Sequence, residues 1–366
     1  MTRLITLAIH TYDHAVALRG LLEKEGIHVE LHNVNLEVPG LSSGVRVRIP
    51  ESDLPLALRI VENKELFVSD VASKHTFLVP VDFSELSFKA ASVACRLAYA
   101  GKAELHLLYS YVDPYVAGTI QIMDKLDYDV GDPRAREQME SNSEKLMENF
   151  AERLRVAMKK GEIPPVKLVR KVMEGVPEDS IIEYGKAIRP ALIVMGTRGS
   201  EKKARELIGS ITAEVLDEGR FTVLTVPEPL DTEHALHPRN ILFFSNLDQD
   251  DILAMDTVYR LFGGEDVRVT IMHVPKRRRF MERDADKALE KLSEYCDKNF
   301  KHYHFVSVPV SADDCEQAFT ALDSAAHFDL IVSPNRHRNA FSRLFNPGLA
   351  HKILFHTDSP MLVIPV

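Results

Sequence analysis

Residues 191–228 read ALIVMGTRGSEKKARELIGSITAEVLDEGRFTVLTVPE, and residues 329–366 read DLIVSPNRHRNAFSRLFNPGLAHKILFHTDSPMLVIPV. The two stretches align without gaps at an offset of 138, so that Val194 matches Val332 and Pro227 matches Pro365. Self-similarity at a fixed offset is typical of a domain that occurs more than once in a chain. The rest of the repeat is therefore expected upstream.

A second match lies closer to the start of the chain. FLVPVDFS, residues 77–84, aligns with ILFFSNLD, residues 241–248, at an offset of 164. The change in offset implies about 26 extra residues in the first copy (164 − 138), and we assign them to the polar stretch 110–160. The sequence thus predicts one domain twice, at 74–229 and 238–366, with the proline-rich linker 227–238 between them.

Each copy alternates short apolar runs with helical patterns. In the first copy HTFLVPVDF, residues 75–83, is typical of a buried strand, and Ser84 is predicted to cap the helix that follows. Five strands with helical crossovers predict an α/β fold, a doubly wound parallel sheet covered on both faces. Ligands bind such sheets at the carboxyl ends of the strands.

Residues 1–70 match neither copy. The pattern predicts a small α+β module of βαββα(β) order, in which Asp53 caps a helix to about Asn63 before a last short strand. Together with the two copies, this makes three predicted domains.

Composition excludes several classes of protein. The 366 residues carry a net charge of −9, which argues against a nucleic-acid partner. The three cysteines form no CxxC pair, and no apolar run approaches the roughly 18 residues of a membrane span. We expect a cytoplasmic protein that has no membrane partner and no metal site.

One glycine pattern has the chemistry of a phosphate site. Gly196 and Gly199 follow the strand ALIVM, and Gly209-Ser210 come nine residues later at the start of a helix. Glycine lets the backbone approach a ligand closely, and the N–H groups of a helix N-terminus attract phosphate oxygens. Arg198 adds positive charge, and Asp82 ends the first strand, where a carboxylate can accept hydrogen bonds from a ribose or an adenine.

This spacing, with VPVDFSE at residues 79–85, resembles the universal stress protein family over about 290 residues. The resemblance implies flavodoxin-like domains in tandem, pairing through their fifth strands as a covalent pseudo-dimer. It also implies that the first copy binds ATP, with or without Mg²⁺, in a stress-response and signalling role. Carried over by motif position, the implied nucleotide-binding residues are Pro80, Val81, Asp82, Met195, Gly196, Arg198, Gly199, Gly209, Ser210, Ile211 and Thr212.

The second copy has lost this motif. Pro334, His337 and Pro347 replace the three glycines, Gly348 replaces Ser210, and Asn246 replaces Asp82. Proline has no N–H to donate and cannot adopt a positive φ. We expect a structural half that does not bind nucleotide.

The N-terminal module resembles a small bacterial family of signal-transducing, DUF2007-like domains. The residues that carry this likeness are HTYDHAVALRGLLEKEGI at 10–27 and VRVRIPESDLPLALRIVE at 45–62. It implies a regulatory or ligand-sensing role without naming a ligand.

No pattern of residues identifies a catalyst. GLSSG at 40–44 fits the hydrolase pattern GxSxG, but it has a Pro/Gly loop before it and a strand pattern after it, where that motif needs a strand and then a helix. Two alternatives to a nucleotide-binding signalling protein stay open: an ATP-hydrolysing or nucleotidyl-transferring enzyme, and a nucleotide-free interaction scaffold. Self-association through edge strands, or a protein partner, is also expected.

Overall fold

The computed structural model describes part of the chain, and every statement below refers to that part. The described residues are 4–10, 12–33, 45–53, 57, 76–112, 133–197, 210–230, 237–245, 247, 250–263, 266–273, 282–309, 322, 327–335 and 359–365. The chain divides into two compact units, Met1–Lys74 and His75–Val366. No helix in these ranges is long and apolar enough to cross a lipid bilayer.

The first unit is a helix packed on a small antiparallel sheet. Its elements are β1 (Leu4–His10), α1 (Tyr12–Lys24), β2 (Glu30–Asn33), β3 (Val45–Pro50) and a 3₁₀ turn (Glu51–Asp53). The strand order is β1-β3-β2, and both pairings are antiparallel. Leu18 and Leu22 lie one helical turn apart on α1 and are fully buried with Val47 and Ile49. The helix predicted after Asp53 lies outside the described residues apart from Ala57, and the strand predicted after it lies wholly outside them.

The second unit contains ten strands and six helices within the described ranges. The strands are β4 (Thr76–Pro80), β5 (Glu104–Tyr111), β6 (Leu168–Glu174), β7 (Leu192–Gly196), β8 (Val223–Val226), β9 (Asn240–Ser245), β10 (Val267–His273), β11 (Tyr303–Pro309), β12 (Leu330–Asn335) and β13 (Met361–Pro365). The helices are α2 (Glu85–Ala100), α3 (Pro133–Lys159), α4 (Pro177–Ile188), α5 (Ser210–Glu218), α6 (Asp250–Phe262) and α7 (Glu282–Asn299).

All ten strands form one sheet, in the order β11-β10-β9-β12-β13-β8-β7-β4-β5-β6. Every neighbouring pair is parallel except β13 and β8, which are antiparallel. Each half of the sheet has the same order, with the third, second, first, fourth and fifth strands side by side. The offset of 164 carries β4 onto β9, and the offset of 138 carries β7 and β8 onto β12 and β13.

The central strands are apolar because helices cover both faces of the sheet. Along β4, Phe77 and Val79 join one buried cluster, and Leu78, which points to the opposite face, joins the other. The residues of β7 from Leu192 to Met195 and all of β8 are likewise buried. The mostly parallel α/β sheet predicted from the sequence is confirmed.

The two halves meet at one antiparallel junction. Leu224 lies opposite Leu362 at its centre, and Thr225 lies opposite Met361. Thr225 Oγ1 accepts a hydrogen bond of 3.1 Å from the Met361 backbone N–H, and both residues are buried. The two halves therefore form one continuous sheet within one compact unit.

Candidate functional site

The chain leaves β4 through a tight turn at the carboxyl edge of the sheet. The Val81 N–H donates to the Leu108 carbonyl at 2.8 Å, which extends the β4–β5 pairing by one residue. Asp82, the next residue, is exposed. Phe83 then takes a left-handed conformation with φ 62, and its ring lies 4.4 Å from the ring of Tyr109. The turn aims the Asp82 carboxylate away from the core and into solvent at the end of the strand.

A short hydrogen-bond chain joins Asp82 to the start of α2. Asp82 Oδ1 accepts from the Ser84 backbone N–H at 3.1 Å and from Ser84 Oγ at 2.6 Å. Ser84 caps α2, as predicted, because its Oγ accepts from the Ser87 N–H at 3.1 Å. Aspartate often forms such turns with the backbone two residues on. These bonds hold the carboxylate in one orientation at an exposed position.

The end of β7 is tied to the first turn of α5. Gly196 is the last residue of β7, and the Thr197 N–H donates to the Val226 carbonyl at 3.0 Å. Thr212, in the first turn of α5, donates from Oγ1 to the Gly196 carbonyl at 3.0 Å. Thr212 is 4% exposed and Gly196 is half-buried, so this bond is partly buried. It fixes the two ends of the segment that contains Arg198, Gly199 and Gly209.

β4 and β7 are adjacent parallel strands. After β4 the chain continues to a strand on one side of this pair, and after β7 it continues to a strand on the other side. β4 pairs with β5 on one side and β7 pairs with β8 on the other. In parallel sheets this reversal opens a crevice at the carboxyl edge, and ligands bind there. Asp82 follows β4 and Gly196 ends β7, so both belong to this edge.

The described site residues fall into two groups by what they can present to a ligand. Val81 and Met195 have buried side chains, so they could contact a ligand only through their backbone. Pro80 ends β4, and Ser210, Ile211 and Thr212 open α5. The predicted residues Arg198, Gly199 and Gly209 lie outside the described residues.

The corresponding turn in the other half of the sheet is built differently. Leu247, which matches Phe83, also has a positive φ of 56. Ser245, which matches Val81, donates from Oγ to the buried carboxylate of Asp251 at 2.7 Å and accepts from the Leu247 N–H at 3.0 Å. His273 Nδ1 donates to the Ser245 carbonyl at 2.8 Å. Each half therefore keeps the turn by its own set of polar contacts.

Sequence reasoning missed two contacts of this site. The first is the contact between Asp82 and Ser84, which the spacing Asp82-x-Ser84 could have predicted as a turn that fixes the carboxylate. The second is the hydrogen bond from Thr212 to Gly196. No sequence pattern predicts it, because it joins residues 16 positions apart across a loop. Within the described ranges no group of three or more histidine, cysteine, aspartate or glutamate side chains could hold a metal ion.

Comparisons with known proteins decide the family. A family model described as the universal stress protein family matches residues 74–227. The universal stress protein MJ0531 of Methanocaldococcus jannaschii is 33% identical over 153 residues, which are 42% of this chain and 81% of that protein. The chain belongs to the universal stress protein family.

Solved structures extend the likeness in fold. A universal stress protein from Archaeoglobus fulgidus covers 80% of this chain and 97% of its own length, with a TM-score of 0.56 and 18% identity. A second solved universal stress protein, described as a complex with cAMP, covers 42% of this chain and 97% of its own, with a TM-score of 0.30 and 22% identity. The first of these shows that the fold extends over four fifths of the chain.

The arrangement offers the chemistry of binding. A helix N-terminus presents N–H donors and a positive dipole end, and an oriented carboxylate accepts hydrogen bonds from hydroxyl or amine groups.

Proposed function

We propose that the universal stress protein domain at 74–229 binds ATP in the crevice between β4 and β7, and that the chain is a nucleotide-dependent signalling protein of the stress response. The observation that carries the proposal is the bond from Thr212 to Gly196. It holds the start of α5 against the end of β7, on the edge where Asp82 is oriented by Ser84. A glycine-containing segment whose ends are fixed in this way is suited to surround phosphates.

Each residue has a distinct task in this proposal. Asp82 accepts hydrogen bonds from the ribose hydroxyls or the adenine amine, while the backbone next to Val81 and Met195 lines the base. Gly196, Gly199 and Gly209 let the backbone approach the triphosphate. Ser210 contributes its hydroxyl and the N-terminus of α5, Arg198 contributes charge, and Mg²⁺ accompanies the nucleotide.

We propose that 238–366 is a second universal stress protein domain that pairs with the first as a pseudo-dimer within one chain. The matching strand order and the antiparallel junction between β8 and β13 support this. Pro334 is the last residue but one of the fourth strand of this half, where the first half has Gly196, and it is buried. This half therefore supports the fold without binding ATP.

Residues 1–70 are proposed as a regulatory module that transmits a signal to or from the nucleotide domain. The described part of this module, a three-stranded sheet and helix α1, has its own buried core. The proposed location is the cytoplasm, where ATP is abundant and thiols stay reduced. Cys95 and Cys296 are both free and buried, which suits that setting.

The proposal is tested by thermal unfolding with and without ATP and Mg²⁺. A ligand at 100 times its Kd adds about 2.7 kcal/mol to the free energy of unfolding, so the wild-type melting temperature should rise. An unchanged melting temperature at millimolar ATP would favour the nucleotide-free scaffold. More than one ADP or AMP released per chain would instead favour an enzyme.

A further inference from the structure

The two outer strands of the ten-stranded sheet differ in how far their outward backbone groups are covered. The edges are β11 at one end and β6 at the other. Backbone groups that point away from a sheet can pair with another strand, so proteins usually cover or charge them.

The β11 edge is partly covered by residues at the end of α7 and just after it. The Val267 N–H donates to the His302 carbonyl, which places the N–H groups of Tyr303, Phe305 and Ser307 on the outer side because strand residues alternate. The Tyr303 N–H donates to the Phe300 carbonyl at 3.3 Å, and the Phe305 N–H donates to Asp297 Oδ1 at 3.0 Å. Residue 309, the last of this strand, is a proline and has no N–H.

The β6 edge has no such cover among the described residues. The Leu105 N–H donates to the Lys167 carbonyl and the Gly175 N–H donates to the Tyr111 carbonyl, so the odd-numbered residues of β6 face β5. The even-numbered residues therefore direct both N–H and C=O outward. They are Leu168, Arg170, Val172 and Glu174, and no hydrogen bond to these outward backbone groups occurs in the described part of the chain.

The side chains of this edge are self-complementary in one antiparallel register. If Val172 lies opposite Val172 of a second copy, Arg170 lies opposite the second copy's Glu174, and the same pair repeats on the other side of the axis. A register centred on Arg170 sets two arginines against each other, and one centred on Lys171 sets two lysines. Like charges directly opposite are destabilising and opposite charges stabilise a strand pair.

Helix α3 packs on β6 and β5, so two copies joined at β6 would bring their α3 helices side by side across the seam. Arg170 and Glu174 already form ion pairs within the chain, with Glu148 and Arg136 of α3. The contacts across the axis would extend these ion pairs.

We propose that β6 is an interaction surface for a second copy of this chain, paired antiparallel around Val172 to join two sheets. Because two of the outward N–H groups of β11 are already bonded and its last residue is a proline, the contact uses the β6 edge of both copies and closes as a dimer rather than growing into a fibre. This surface is independent of the nucleotide crevice at β4 and β7.

Sedimentation velocity on the full chain tests the proposal. The wild type should sediment at twice the 41.3 kDa of one chain. Val172→Pro removes an outward N–H and keeps the β5–β6 pairing, so it should leave a single chain. Ser307→Pro makes the matched change on β11 and should leave the dimer intact. A wild type that stays single up to about 100 μM, or a folded Val172→Pro variant that still dimerises, would overturn the proposal.

Cross-linking tests the register. In a Cys315→Ser background, Val172→Cys should form an intermolecular disulfide on mild oxidation, since directly opposed residues have Cα atoms about 5.5 Å apart. Lys171→Cys should not, because its counterpart is displaced by two residues and lies beyond about 7 Å. Equal cross-linking of both variants would contradict the register. Absence of a Val172→Cys disulfide would do the same.

Discussion

Thr212 Oγ1 lies 3.0 Å from the carbonyl oxygen of Gly196 and donates a partly buried hydrogen bond to it. The bond joins the first turn of α5 to the last residue of β7. Backbone carbonyls at such a strand end need a partner when they are buried, and here the partner belongs to the helix whose N-terminus is proposed to face the phosphates. Thr212 therefore contributes both to the packing of α5 against β7 and to the geometry of the proposed ligand site.

Thr212→Val should lower both stability and nucleotide affinity. The variant keeps the shape of the side chain and removes the donor, which costs about 1 kcal/mol when the carbonyl stays partly unsatisfied. Chemical denaturation measures that loss, and calorimetric titration with ATP measures the affinity. Thr270→Val, at another buried threonine in the other half of the sheet, should leave ATP affinity unchanged. Full ATP affinity in Thr212→Val would show that nucleotide binding does not depend on this hydrogen bond.

Asp82→Asn should weaken ATP binding about tenfold or more while the fold is kept. The amide oxygen of asparagine can still accept from Ser84, so the turn survives, but the charge that strengthens a hydrogen bond to the ligand is lost. Asp256→Asn, on an exposed face of α6, is the matched control. If both variants bind ATP equally well, the carboxylate has no part in binding.

Thr225→Val should loosen the junction between the two halves of the sheet. It removes the acceptor for the Met361 N–H and leaves that buried donor without its partner, at a cost of about 1–3 kcal/mol. Hydrogen exchange followed by mass spectrometry should show faster exchange in β13 and β8 and little change in β5. Unchanged protection of β13 would mean that the antiparallel pairing does not depend on this contact.

Acid should lower the stability of the fold by protonating Glu104, at the amino end of β5. Hydrogen bonds from Lys167 at 2.6 Å and from His106 at 3.2 Å hold the pKa of Glu104 below its ordinary value of 4.5. His106 in turn accepts from the Tyr184 hydroxyl at 2.8 Å. A carboxylate with a lowered pKa stabilises the fold above its unfolded pKa, and this contribution is lost as the pH falls through the folded pKa.

Glu104→Gln should therefore be less stable than the wild type at pH 7, and the difference should shrink below about pH 4.5 as the wild-type carboxylate is protonated. Urea unfolding across this pH range provides the measurement. Glu183→Gln, at an exposed glutamate of α4, controls for the loss of one negative charge. A difference between wild type and Glu104→Gln that stays constant with pH would show that the network does not act through ionisation.

The sequence predicted the sheet because buried parallel strands leave a strong local signal. The apolar runs at β4, β7 and β8 and their matches at β9, β12 and β13 all lie where the pattern placed them. The cap at Ser84 was predictable for the same reason, since N-capping depends on residues three positions apart. Family membership was likewise predicted from the glycine spacing and VPVDFSE.

What could not be predicted depends on contacts between distant residues. The bond from Thr212 to Gly196 joins two elements across a loop, and the Thr225–Met361 contact joins residues 136 positions apart. The left-handed turn at Phe83 was equally hidden, because nothing in a phenylalanine favours positive φ and the ring packing against Tyr109 accompanies it. The merging of two predicted domains into one sheet follows from the β8–β13 pairing, for which the resemblance to the family was the only indication.

Isothermal titration calorimetry of the wild type and Ser210→Asp with ATP and Mg²⁺ tests the central claim most directly. Aspartate at the start of α5 stabilises the helix through its dipole but repels a triphosphate, so affinity can fall without unfolding. The account predicts one ATP per wild-type chain and no measurable binding to a folded Ser210→Asp variant. Wild-type affinity in that variant, or no ATP bound by the wild type, would contradict it.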